Sequence, residues 1–220
     1  MCWSATADLV AGTAITAVGV AHVRRLHDLP LAALPLLLGA HQIIESAVWN
    51  SGGGTGPATL AWTVIALPLL PLWVPAGVLL AAPAGARLRQ AAPLAAGLAT
   101  AGVLAYCLAT SPVTAEVRGH TLGYVIGLPS PPVLVAGYLL ATVGSLLLAS
   151  DRVLRVLGAV VAGGAALCAM LWQLEFISTW CAFAAVASVV LLAWIRGRRG
   201  SRDSGREGPL HPESRARGEA

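Results

Sequence analysis

Seven times between residues 4 and 195 the chain turns apolar for about 20 residues. That is the length at which a helix rising about 1.5 Å per residue crosses a hydrocarbon layer of roughly 30 Å. The runs cover residues 4–23, 30–50, 57–82, 91–111, 132–150, 153–175 and 177–195. Only 11% of the residues are charged, whereas a soluble domain carries about 25%. The pattern predicts an all-α polytopic membrane protein: a seven-transmembrane-helix bundle over residues 1–196. Residues 197–220, rich in Gly, Arg, Ser, Glu and Pro, cannot bury enough surface to order themselves and are expected to form a disordered cytoplasmic tail.

The connections predict the orientation. All 14 basic residues are Arg. Arg24 and Arg25 follow the first run, Arg87 and Arg89 the third, Arg152 and Arg155 the fifth, and seven more follow the last. Only Arg118 sits in an alternate connection. Under the positive-inside rule this places the N-terminus outside and the C-terminus inside, in the plasma membrane. The absence of Lys excludes a retinal Schiff base, and with the abundance of Ala, Gly, Pro and Val it fits a GC-rich bacterial coding bias. No basic n-region or cleavage signature marks the first run as a removable signal peptide. The third run holds Pro68, Pro71 and Pro75. Each removes a backbone donor, so a kink is expected there, either as packing or as a break that lines a site.

Polar residues concentrate toward one end of this bundle. His41, Glu45 and Trp49 recur every fourth residue and share one helical stripe. On the helical rise Glu45 lies about 7 Å below the outer end of its run. A charge at mid-membrane costs roughly 2.5 kcal/mol or more, so the pair should face protein or water. It either satisfies itself as a packing device or forms a functional site. Cys168, Trp172 and Glu175 form a second stripe. The expected arrangement has His41 and Glu45 meeting the Glu175 or Cys168 face beneath the 112–131 connection, which carries Glu116, Arg118, His120 and Tyr124 as a lid. Ser4, Tyr106 and His120 are secondary candidates at the same end. Asp8 reads as a cap of the first helix turn. Trp3, Trp62 and Trp180 read individually as an interfacial aromatic belt.

All four cysteines, Cys2, Cys107, Cys168 and Cys181, fall in the outer half, where disulfides can form. Cys2 and Cys181 both end helices there, which suggests a bridge between them or shared ligation of a metal. No CxxC, HxxxH or HExxH spacing supports a metal directly.

The opening Met1-Cys2-Trp3-Ser4-Ala5-Thr6-Ala7, the His41-Gln42 with Glu45 and Val48-Trp49, and the later Trp180-Cys181-Ala182-Phe183-Ala184-Ala185 together resemble an uncharacterised family of bacterial multi-pass membrane proteins that open with Met-Cys-Phe-Ser-Ala-Thr-Ala. Trp3 stands where that family more often has Phe, and Asp8 where a small residue is expected. The resemblance implies the topology and the choice of residues, and no activity.

Function therefore divides into classes. The first is a membrane protein with an outward-facing pocket of His, Glu, Cys and Trp that binds a metal, cofactor or small ligand. The second is a small-solute transporter or sensor in which His41 and Glu45 titrate, although no inverted repeat is visible. The third is a purely structural membrane protein. Seven-helix zinc hydrolases such as the alkaline ceramidases and progestin-receptor relatives do not match, because the last run lacks a histidine pair. The expected partners are the lipid bilayer and a small molecule, with no nucleic acid. No residue is assigned as catalytic.

Overall fold

The computed structural model describes residues 4–22, 29–171 and 187. The first helix, α1, spans Ala5–His22. Ser4 starts it: its hydroxyl accepts the Ala7 N–H at 3.2 Å, satisfying a donor that the first turn leaves open. A single turn, Leu29–Ala32, precedes α2, Leu34–Asn50. Pro35 lies in the first turn of α2, where no N–H is needed, so it starts this helix more readily than it would continue the turn before it.

Glycines set how α1 and α2 meet. A Cβ added at Gly12 would lie 2.8 Å from the Gly39 carbonyl oxygen, and one at Gly19 would lie 2.6 Å from Leu36. A Cβ on Gly39 would collide with the Thr16 hydroxyl. These contacts define one antiparallel register in which Gly12 faces Ile43, Thr16 faces Gly39 and Gly19 faces Leu36. Small residues let the two backbones touch, and no side chain fits between them.

After α2 the chain passes through Gly52, Gly53 and Gly54, with φ of 72°, 85° and 90°. Successive positive φ values are open to glycine at little cost. The turn delivers Gly54 to Ala115, with which it exchanges two backbone hydrogen bonds of 2.8 and 3.0 Å. Ala115 belongs to a hairpin of β1 (Thr114–Arg118) and β2 (Thr121–Val125), paired antiparallel from Thr114 opposite Val125 to Arg118 opposite Thr121. Its inner face buries Ala115 and Leu122 against Val48 of α2.

The long helix α3, Pro57–Ala81, is continuous but widens to a π turn at Ile65–Leu69. There the Leu70 N–H bonds the Ile65 carbonyl, five residues back. The next carbonyl, Ala66, would need a donor at position 71, and Pro71 has none. Tyr138 supplies it, donating its hydroxyl to the Ala66 oxygen at 2.7 Å. The prolines thus do break the regular ladder, and a neighbouring helix repairs it. A 3₁₀ stretch, Ala84–Gln90, leads into α4, Ala91–Thr110, whose Gly97 packs directly on the Pro71 carbonyl. Next come α5, Pro131–Leu147, itself widened at Leu140–Gly144, and α6, Arg152–Leu171. Asp151 caps α6 by accepting the Val153 N–H at 2.8 Å. The main apolar core joins Leu31 and Leu34 to Val74, Val78, Leu154 and Leu157, toward the end opposite the hairpin.

This architecture corrects the expected seven-span, all-α bundle. The described residues form six helices and a two-stranded sheet. Among the described residues, only Pro57–Ala81 and Ala84–Thr110 are long and apolar enough to cross a membrane. Apolar runs in the sequence outlast the helices they contain. The run at 30–50 breaks at Ala33 and leaves a 17-residue helix, about 26 Å long on the helical rise. The run at 132–150 ends helically at Leu147. The run at 177–195 lies outside the described residues, apart from Ala187. Without seven spans, the alternation of arginine-bearing connections no longer assigns the N-terminus outside and the C-terminus inside. The 112–131 connection was expected as a loop, and its Thr, Val and Tyr residues instead pair as strands.

Candidate functional site

The α2 stripe points inward. His41, Gln42, Glu45, Ser46 and Val48 are buried, whereas Ile43, Ala47 and Asn50 are exposed. The register of α1 on α2 places Asp8 one turn beyond Gly12, level with the segment between Glu45 and Trp49. Asp8 and Glu45 are both 0% exposed, and Asp8 lies close enough to Glu45 to feel its charge. The Trp49 side chain also interacts with Asp8. That contact is looser than a standard hydrogen bond, since among the described residues neither the indole Nε1 nor either Asp8 oxygen has a hydrogen-bond partner. Two carboxylates from different helices are therefore both buried and within electrostatic range of each other.

A ring stack closes the neighbouring side. The His41 and Trp62 centroids are 4.5 Å apart at 31°, and Trp62 and Tyr124 lie face to face at 3.7 Å and 2°. The stack runs from α2 through α3 to β2. His41 Nδ1 and Trp62 Nε1 are buried without hydrogen-bond partners among the described residues. Beside Trp62, the Thr59 hydroxyl donates to the Gly54 carbonyl at 2.9 Å and so ties α3 to the glycine turn. The hairpin is a cover held by the Gly54–Ala115 bonds, by the Trp62–Tyr124 stack and by Val48 beneath it.

The structure thus gathers His41, Glu45 and Trp49, and adds Asp8, Trp62 and Tyr124. Asp8 lies in the first turn of α1, as a carboxylate there suits the helix dipole, while Ser4 makes the cap hydrogen bond and the Asp8 side chain is buried. Trp62 is 4% exposed and stacked, not part of a surface belt. Both had visible signals. Asp8 stands one turn inside a helix that Ser4 already starts, and Thr59, Trp62 and Thr63 form a polar stripe in an apolar helix. Other candidates lie elsewhere: Tyr106 faces outward at 69% exposure, His120 is exposed at the hairpin turn, and Ser4 is exposed at the start of α1. Cys107 is buried as a free thiol. Cys168 falls within α6. Cys2, Trp172, Glu175 and Cys181 lie outside the described residues, and with them the expected Cys2–Cys181 pairing and the meeting of Glu45 with Glu175.

Among the described residues no three His, Cys, Asp or Glu side chains converge as metal ligands. A separate cleft of about 490 Å³ opens at the far end of α3, remote from the carboxylates. Residues 1–206 match the model of a family of unknown function, DUF6629. No curated protein and no solved structure matches the chain.

Proposed function

We propose that this chain, which belongs to the DUF6629 family, is a multi-pass protein of the bacterial plasma membrane whose Asp8–Glu45 site binds a small cation, a proton first of all. The membrane reading draws on α3 and the Ala84–Thr110 segment. Their mean hydropathies are 2.2 and 1.7, yet only a third of each is buried. Leu60, Val64, Leu80, Leu98 and Val103 stand exposed along them. A core helix of a soluble domain would hide such residues.

One observation carries the site: two carboxylates, each 0% exposed, within electrostatic reach of one another. Burial disfavours the charged form of each carboxyl, and the charge of one disfavours the charge of the other. A proton or small cation between them removes most of that cost. Its uptake and release would change the attraction between α1 and α2 directly beneath the hairpin. This is the behaviour required of a sensor or of the ion-coupled step in a small-solute transporter. His41 sits one helical turn from Glu45 on the same buried face.

Infrared difference spectra of the purified chain across neutral pH test this reading. A protonated-carboxyl band is expected to titrate, to be lost in Asp8→Asn, and to titrate at lower pH in Glu45→Gln, where burial still favours the acid but the neighbouring charge is gone. A band unchanged in both variants, or none in the wild type together with no bound metal by elemental analysis, would refute the cation site.

A further inference from the structure

The cleft at the opposite end of α3 has features that the carboxylate site does not explain. Its walls are Val78, Ala82, Ala149 and Leu154, and its mouth holds Ser150 and Asp151. Two exposed arginines of the 3₁₀ stretch reach residues of this lining. Arg87 donates through Nε to the Ala82 carbonyl at 3.4 Å, and Arg89 donates to the Ser150 hydroxyl at 2.9 Å. Arg152 and Arg155 stand exposed on the first turns of α6. The acidic residue present, Asp151, already accepts the Val153 N–H. Between Arg87 and Arg89, Leu88 is 86% exposed.

We propose that this cleft binds an anionic phospholipid, with its phosphodiester on Arg87 and Arg89 and an acyl chain along the apolar walls. Charge and shape agree: four arginines against one committed carboxylate suit an anion, and the walls suit hydrocarbon. Arginine presents a planar fork of donors that matches phosphate oxygens, and Arg89 is already oriented by Ser150. Leu88, flanked by the two cations at the end of an apolar helix, is placed to enter the acyl region while its neighbours stay at the headgroups. The inference rests on the membrane reading and is independent of the Asp8–Glu45 site.

The test is native mass spectrometry of the full chain from vesicles of equal phosphatidylglycerol and phosphatidylcholine. Retained lipid is expected to favour phosphatidylglycerol by about tenfold or more, the order that two arginines near an anionic headgroup supply. The double variant Arg87→Gln/Arg89→Gln should retain both lipids equally. Arg118→Gln, in the hairpin, should behave as wild type. Equal retention by wild type, or an undiminished preference in the double variant, would overturn the proposal. Loss of the preference to millimolar inorganic phosphate would also overturn it, because phosphate alone would then be the ligand. Since each readout is taken on protein recovered from vesicles, failure of the lipid site is distinguishable from failure of the membrane reading, in which no chain is recovered at all.

Discussion

Tyr138 spans two helices with one hydroxyl. The Ala66 carbonyl is stranded because the π turn sends its bond toward Pro71, and Tyr138 answers it at 2.7 Å. Tyr138→Phe keeps the ring and removes the donor. An orphaned buried acceptor costs about 1–3 kcal/mol, so the variant should unfold at a lower temperature by that equivalent in a detergent melt. An unchanged melt would mean that the gap is filled in another way. Asp8 makes a contrasting point about legibility. Its residue type was plain in the sequence, but its role depended on which helix lay across from it, and no spacing within α1 encodes that. The His41–Glu45–Trp49 stripe was legible because it lies within one helix. Its partners Asp8, Trp62 and Tyr124 come from three other elements.

Among elements, the contact between α1 and α2 carries the site, and it is made of missing side chains. Gly39 backs onto Thr16 and the Gly12 carbonyl with no room for a Cβ. Gly39→Leu should therefore force the helices apart, costing about 1–3 kcal/mol or more, with a drop in folded yield. Gly102→Leu, where nothing stands within 4 Å, should leave yield unchanged; equal loss in both would indicate a general intolerance of bulk. Helix positions were largely visible from apolar runs and from Pro57 and Pro131 at helix starts. The hairpin was missed because a short polar stretch between apolar runs reads as a loop. Yet Thr114–Arg118 and Thr121–Val125 are rich in β-branched residues around a Gly119 turn, and Gly52–Gly54 could be recognised as its docking point only once the two were seen together.

At the scale of the molecule, composition spoke for the bilayer more clearly than for the number of crossings. Hydropathy reports how apolar a run is, whereas spanning also requires an unbroken helix, and Ala33 and the stop at Leu147 shorten two of the runs. The chain is expected to stay in the membrane pellet through an alkaline carbonate wash, which strips peripheral proteins. Release into the supernatant would remove the membrane reading together with both proposed sites.

The bond between Tyr138 and Ala66 also has a meaning in time. The two residues are 72 positions apart, so a ribosome completes α3, with its stranded carbonyl, well before the residue that satisfies it exists. Until α5 emerges, the middle of α3 must find water, lipid headgroup or another chain to occupy that oxygen. Trp62 likewise has His41 available early and gains Tyr124 only later. The newborn protein therefore passes through an interval in which α3 is finished while the partners of the Ala66 carbonyl and of the second face of Trp62 have yet to be made.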